Sequence, residues 1–307
     1  MPQPGSGETL RRWRLLTEIS AADLTAGRVA EAHLDALAIL AEAGLGLDEP
    51  ALASLGVSTS STWGVFAAEG PGVRVDATES AGGWTLSGTK PWCSLAGRLS
   101  HALVTAHTQD GRRLFAIDLR SPRVTSERGT WVARGLAEVI STPIQLDDAY
   151  AVPVGADNWY LERPGFAWGG IGVAACWFGG LLGIARTMAT AARRREPDQI
   201  GMMHLGAVDL AVLRSRALLD AAAVEIDAGR AVGAAGALLA NRVRSTVADA
   251  AEEVIERAGH ALGPAPLTQD EDHARRVADL TVYVRQHHAE RDLAALGRAL
   301  LADGPSW

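Results

Sequence analysis

The stretch that decides the fold is Gly83-Trp-Thr-Leu-Ser-Gly-Thr-Lys-Pro-Trp-Cys-Ser94. Gly83–Leu86 is a short strand-forming run, Ser87-Gly88 interrupts it, and Lys90–Cys93 resumes it, as expected of extended chain between turn signals. The 29 basic residues comprise 28 arginines and a single lysine, Lys90, which falls inside this string. Arginine-for-lysine usage on that scale, beside long alanine runs, is the mark of a GC-rich coding sequence. The place of the one lysine is the exception to follow.

The surrounding region, 59–158, is rich in Gly, Pro, Ser, Thr and Val, and its short runs alternate between turn signals. Ala102–His107 and Arg113–Leu119 flank Gln109-Asp110-Gly111, a hairpin signal, and Thr130–Ala133 and Pro143–Leu146 read as further strands of the same sheet. Ahead of it, 8–45 carries apolar residues at helical spacing (Leu10, Trp13, Leu16, Ile19, Leu24), with Ser20 and Asp23 able to cap a restart and Gly44 and Gly46 as stops. Behind it, 165–195, 201–228, 230–258 and 275–302 each read as a long helix, with Gly229, Gly259 and Gly263-Pro264 as breaks. The expected fold is therefore α+β. A short N-terminal helical segment (1–58) leads into a central barrel- or sandwich-like β domain (59–158), followed by a C-terminal antiparallel four-helix bundle (159–307).

Composition narrows the function. Hydrophobic residues at 48% and charged residues at 21% are those of a globular chain, and a net charge of −7 excludes a nucleic-acid partner. Two cysteines, Cys93 and Cys176, supply neither a disulfide framework nor a metal cluster, and suit buried thiols in a reducing cytoplasm. The N-terminus lacks the apolar core of a secretory signal. Pro164–Ala185 is long enough to span a bilayer, but its seven glycines and the lack of a flanking basic cluster point to a buried helix, not a membrane segment.

Several motifs have a plain reading beside a sharp one. Gly170-Ile-Gly-Val-Ala-Ala175 fits a dinucleotide fingerprint, yet no strand precedes it and no βαβ unit follows, so helix packing through glycine accounts for it better. Arg193-Arg-Arg195 closes a helix, where cations complement the dipole or clamp a phosphate. His287-His288 could move protons or bind metal, but no third ligand stands at ligand spacing and adjacent residues point to different faces, so no metal site is expected. Hydrolase, metalloprotease and P-loop signatures are absent.

The opening string resembles the G-x-x-x-x-G-x-K-x-W-[IC]-[TS] element of acyl-CoA dehydrogenases, flavoenzymes that desaturate acyl thioesters, and the order helices, β domain, four-helix bundle is theirs as well. The resemblance runs from Ser61 to the end, with weaker likeness in the first helices. It implies FAD, with Trp92 packed against the flavin ring and Ser94 bonded near N5, the hydride-accepting atom. Trp63-Gly-Val-Phe-Ala-Ala-Glu69-Gly-Pro-Gly72 resembles the first flavin strand and its Thr-Glu-Pro-Gly turn, which places Phe66 and Ala68 at the cofactor; Ala68 lacks the threonine hydroxyl. Arg193-Arg-Arg-Glu-Pro-Asp-Gln-Ile-Gly-Met-Met-His204 resembles the segment whose arginine, here Arg194, reaches the FAD pyrophosphate of a neighbouring subunit, with Pro197 and Asp198 in place of Phe-Gly. Glu256-Arg-Ala-Gly-His260 resembles the Q-x-x-G-G loop at the adenine half, which implicates Gly259 and His260.

The catalytic base departs from the pattern. Desaturation needs a carboxylate to take the α-proton while hydride leaves for the flavin. The family places it just before the last helix, where this chain has Gln286 or, aligned from Tyr283, Val284; at the alternative place stand Ala167-Trp168, with Glu162 a turn away. About 60 residues precede the β domain where relatives carry a helical domain of well over 100. Three expectations follow. The first is a cytoplasmic flavin-dependent oxidoreductase, acting on an acyl thioester or similar small acyl group as a homodimer or homotetramer. The second is a flavin monooxygenase on the same fold, resembling dibenzothiophene-type hydroxylases, in which His287 or His288 would manage the flavin-oxygen adduct; across these readings the candidate catalytic residues are Gln286, His287 and His288. The third is a non-catalytic subunit that completes a heteromeric flavoprotein.

Overall fold

The computed structural model describes residues 2–127, 129 and 131–304. In chain order it runs through helices α1 (Thr9–Ala22), α2 (Leu24–Glu42) and α3 (Pro50–Ala53), then strands β1 (Trp63–Phe66), β2 (Val75–Ser80), β3 (Gly83–Ser94), β4 (His101–His107), β5 (Arg112–Asp118), β6 (Val124–Ser126) and β7 (Ser141–Val154). Helices α4 (Trp159–Glu162), α5 (Pro164–Arg194), α6 (Gln199–Asp227), α7 (Gly233–Leu262), α8 (Ala265–Gln269), α9 (Glu271–Tyr283) and α10 (Glu290–Asp303) follow, with a single 3₁₀ turn, Val284–Gln286, after α9. The described residues form two compact units, one of Ala32–Val132 with Ala137–Phe166, the other within Met1–Glu31, Ala133–Leu136 and Ala167–Trp307.

In the first unit the strands follow the order β1-β4-β2-β3-β7-β5, and β4 also pairs with β5, so the sheet closes into a barrel; β6 pairs with β7. Closure leaves few open edges, and the inward residues Phe66, Leu86, Cys93, Val104, Phe115 and Ile144 fill the interior. The opposite face of β4 and β5 is also covered, because Ala36, Ile39, Leu40 and Leu52 pack over Leu103, Leu114 and Ala116. Two buried faces explain why the first six residues of β4, His-Ala-Leu-Val-Thr-Ala, are all buried and not every second one. Gly88 is obligatory in β3: its φ is +124°, and a Cβ there would lie 2.1 Å from the Arg74 carbonyl oxygen.

The second unit is helical, and its long helices α5, α6 and α7 bear out the C-terminal helical region. The apolar stretch of α5 is 72% buried within the fold, as in a core helix. Gly179 brings α1 close, since a Cβ there would stand 2.4 Å from the Thr17 carbonyl oxygen. Gly170 and Gly172, the glycines of the dinucleotide-like pattern, lie inside α5, where an added Cβ would stand 3.5 and 3.7 Å from its nearest neighbour, an ordinary contact, so they serve neither a phosphate turn nor the tightest packing.

Several expected elements differ. The restart within the N-terminal segment falls at Asp23 and not at Ser20: Asp23 is extended (φ −146°) and its side chain accepts from Ala26 N at 2.9 Å, starting α2 afresh. The two runs of the opening string are one 12-residue strand. No strand forms at 131–133, and Thr130 lies outside the described residues. Ala133–Leu136 instead packs in the helical unit, where Asp279 accepts from Leu136 N at 2.5 Å. Gly259 does not stop a helix: α7 runs through it to Gly263, whose φ of +68° ends the helix. The last helix is broken at 284–289, where Ala289 takes a φ of +47°.

Candidate functional site

On the barrel, the opening string builds a distinctive feature at the end of β3. Lys90 pairs with Ile144 and Cys93 with Thr142, so three residue steps on β3 oppose two on β7, which makes a β-bulge. Trp92 sits in it with φ +59° and is 62% exposed. A tryptophan in left-handed backbone costs about 1–2 kcal/mol, and most of its ring stays outside the protein's own packing. The bulge is tied on both sides: the Cys93 thiol donates to the Lys90 carbonyl at 3.3 Å, and Leu95 N donates to Ile140 O at 2.7 Å. Cys93 is buried and its thiol is pushed up to about 12 by desolvation, so it is inert rather than nucleophilic. Ser94, back in register, shares a 2.8 Å hydroxyl contact with Ser141, which donates to Val139 O at 2.9 Å.

Beneath the bulge, Lys90 is 2% exposed. Its Nζ donates to Thr105 Oγ1 at 2.8 Å and to the Thr105 carbonyl at 2.9 Å, and stands 3.4 Å from Glu69 Oε1. Arg112 donates to the same Thr105 Oγ1 at 2.9 Å and to the Ala67 carbonyl, and is also 3.4 Å from Glu69 Oε1. His107 Nε2 lies 3.2 Å from Glu69 Oε2. Burial drives the Lys90 ammonium down from 10.5 to about 8, against the opposing pull of Glu69. Burial would raise the Glu69 carboxyl, but the His107 hydrogen bond and the Arg112 and Lys90 charges carry it below its ordinary value. Ala68, next to Glu69, is exposed, whereas Phe66 is 2% exposed and packs inside the barrel.

In the helical unit, the break at 284–289 is held by α7. Arg244 donates to Gly170 O at 2.7 Å and to Gln286 O at 3.0 Å, with its guanidinium 4.7 Å over the Trp177 ring. The Gln286 side chain is exposed. The two adjacent histidines have opposite environments. His287 is buried, contacts Ser245 Oγ at 3.0 Å and meets Trp177 edge-on, and desolvation lowers its pKa. The His288 side chain is 67% exposed with Nδ1 3.4 Å from Asp292 Oδ1, while its backbone N–H donates to the same carboxylate at 3.0 Å. No carboxylate occupies 283–289. The one beside Tyr283 is Glu31, which accepts from its hydroxyl at 3.3 Å and pairs with Arg28.

The remaining predicted residues lie at the far end of the long helices. Arg194 closes α5, is exposed, and borders a groove of about 520 Å³ with Arg186, Thr190, Leu262 and Arg276. Pro197 and Asp198 start α6, where Asp198 accepts from Gly201 N at 2.8 Å, a helix cap in place of the expected Phe-Gly. Gly259 and His260 are in helix, not loop, and His260 contacts the buried His204 ring at 5.6 Å between centroids.

The structure thus gathers Trp92 and Ser94 on one β bulge and Gln286, His287 and His288 on one helical break. Arg112, Thr105, Arg244 and Asp292 were not legible as site residues; only the solitary lysine signalled the first pair, and nothing in spacing signalled the second.

No protein-family model matches the sequence, and none of the curated proteins does. Solved structures do match in fold. KijD3, in complex with FMN and dTDP-3-amino-2,3,6-trideoxy-4-keto-3-methyl-D-glucose, is 20% identical with a TM-score of 0.81, over 96% of this chain and 79% of that one. Glutaryl-CoA dehydrogenase from Mycobacterium smegmatis is 18% identical with a TM-score of 0.81, over 97% and 81%. TdsC from Paenibacillus sp. A11-2, with FMN and indole, is 15% identical with a TM-score of 0.79, over 95% and 83%. At such identities the likeness is one of fold, and it is the acyl-CoA dehydrogenase fold.

Proposed function

We propose that this chain is a flavin-dependent oxidoreductase built on the acyl-CoA dehydrogenase fold, taking an acyl thioester or a related small acyl group. The observation that carries the reading is Trp92: a large flat ring, mostly exposed, held in strained backbone by a bulge tied at both ends. Strain of that kind persists where surrounding structure over-determines it, and it collects at ligand sites. The residues fit a flavin. Trp92 offers a stacking face, Ser94 a hydroxyl two residues on, and Ala68 an exposed backbone beside a turn clamped by Arg112. When bound, the flavin would supply the two-electron acceptor; the chain's part is to stack, hydrogen-bond and orient it.

FAD is the form we favour over FMN, because Arg194 is exposed at a helix end and makes no ion pair among the described residues, as a pyrophosphate partner would require. KijD3 and TdsC were solved with FMN, so the choice is for experiment. A homodimer or homotetramer is supported by α6, which exposes Ile200, Met203, Leu210, Leu213 and Val224 along its length. Purification and a visible spectrum test the reading: flavin absorbance, or its recovery on adding FAD, is expected, and a colourless protein that takes up neither FAD nor FMN overturns it.

A second reading, oxygen-dependent monooxygenation with reduced flavin, is favoured by one observation. The segment where the family's glutamate falls has no carboxylate, and its one exposed base is His288, held beside Asp292. There His288 would move a proton, with His287 fixed behind it. Rapid oxygen consumption with supplied reduced flavin supports this variant, and inertness toward oxygen returns the chain to the dehydrogenase reading.

A further inference from the structure

We infer that Lys90, Arg112, Glu69 and Thr105 form a positioning clamp that locks the Ala67–Glu69 turn to the Trp92 bulge, so that the two places where the barrel would meet its cofactor are set by one polar cluster built on the buried Lys90 and Thr105. The inference rests on the flavin reading for its purpose, but its geometry stands in the barrel alone.

Thr105 on β4 is the centre. Its hydroxyl accepts from Lys90 on β3 at 2.8 Å and from Arg112 on β5 at 2.9 Å, and its carbonyl takes a second Lys90 bond at 2.9 Å. Glu69, on the turn after β1, spans both cations at 3.4 Å. Four chain segments therefore converge on one threonine and one carboxylate. Arg112 also occupies the Ala67 carbonyl, and because a trans peptide is planar, the Ala68 N–H in the same plane points the opposite way, out of the clamp. On the other side, Lys90 lies two residues before Trp92, and its own carbonyl takes the Cys93 thiol that closes the bulge. Moving Lys90 moves both edges.

Stability alone gives no reason for this arrangement. A buried charge is expensive to desolvate, and an apolar residue of similar size often does as well or better. Guanidinium does not fit as a substitute: Lys90 reaches two oxygens of one residue with a compact, three-donor head, whereas a planar fork needs a wider acceptor. A chain that uses arginine at every other basic position keeps an ammonium at this one.

The test uses the full chain without cofactor first. Hydrogen exchange at Ala68, Glu69, Trp92 and Cys93 is compared between wild type, Lys90→Met and Glu69→Gln, with far-UV circular dichroism as the check on folding. Exchange faster by about tenfold or more at both segments in either variant supports the clamp; exchange unchanged at both, in a folded variant, overturns it. Glu69 is half-exposed and Glu69→Gln is isosteric, so that arm remains if Lys90→Met fails to fold. FAD and FMN are then titrated into the same proteins. If wild type binds either one, a loss of about tenfold in affinity for Lys90→Met, partly restored in Lys90→Ala by added ethylammonium and not by ethanol, supports positioning. Equal affinities overturn it. If wild type binds neither flavin, the cofactor reading fails, and the exchange result still decides the clamp.

Discussion

Replacing Trp92 with glycine separates a functional tryptophan from a packing one. The left-handed φ of +59° relaxes in Trp92→Gly, recovering about 1–2 kcal/mol. Against that, glycine gains freedom in the unfolded chain worth about 0.5–1 kcal/mol. The ring is 62% exposed, so of roughly 250 Å² only about 95 Å² is covered by protein, which at about 25 cal/mol per Å² is about 2 kcal/mol. The net is a loss of about 1 kcal/mol, a small shift in melting temperature for a chain of this size. A stacked flavin is another matter. If it covers half of the exposed face, the lost area and stacking together come to about 3 kcal/mol, or roughly a hundredfold in affinity. Thermal melts of the cofactor-free proteins and fluorescence titration with FAD and FMN measure the two effects. A variant that loses 3 kcal/mol or more of stability while binding flavin as tightly as wild type would refute the reasoning, because Trp92 would then be packing and not platform.

Three further outcomes are expected. Lys90→Arg overfills a site that is 2% exposed, costing about 1–3 kcal/mol in chemical denaturation and loosening the strand end that holds Trp92 and Ser94; unchanged stability and flavin affinity would assign the lysine to coding bias. Lys90 titrates near 8 when folded and at 10.5 when unfolded, so between those values the unfolded chain binds more protons and stability should rise with pH. The gain is up to about 3 kcal/mol, and it should be missing from Lys90→Met across the same pH series. On α6 a Cβ at Gly206 meets nothing within 4 Å, whereas at Gly179 on α5 it meets the Thr17 carbonyl oxygen at 2.4 Å. Gly206→Ala should therefore stabilise by up to about 1 kcal/mol and Gly179→Ala should destabilise by about 1–2 kcal/mol in parallel melts; equal effects would mean that α1 is not seated on α5 as described.

The sequence by itself determined the class and order of elements, because periodicity and turn residues act locally. The β-rich texture around Gly83–Ser94, the hairpin at Gln109-Asp110-Gly111 and the long helices α5, α6 and α7 formed where those patterns lay. It misjudged elements that local pattern leaves open. The run at 131–133 forms no strand where Asp279 holds Leu136, and the last helix breaks where Arg244 and Asp292 bind the backbone of Gln286 and His288. Asp279 lies 143 positions from Leu136 and Arg244 lies 42 from Gln286, separations that no window along the chain can see. The same division runs through the site. Sequence pointed to Trp92 by resemblance and to Lys90 by its solitude, but only the tertiary structure showed that the tryptophan is turned outward by one extra residue in β3. Only it, too, decided that His287 is the buried one of the two histidines and placed the lysine on Thr105. Those outcomes turn on register and on which strands close the barrel, and both are properties of long-range pairing rather than of any residue's own preference.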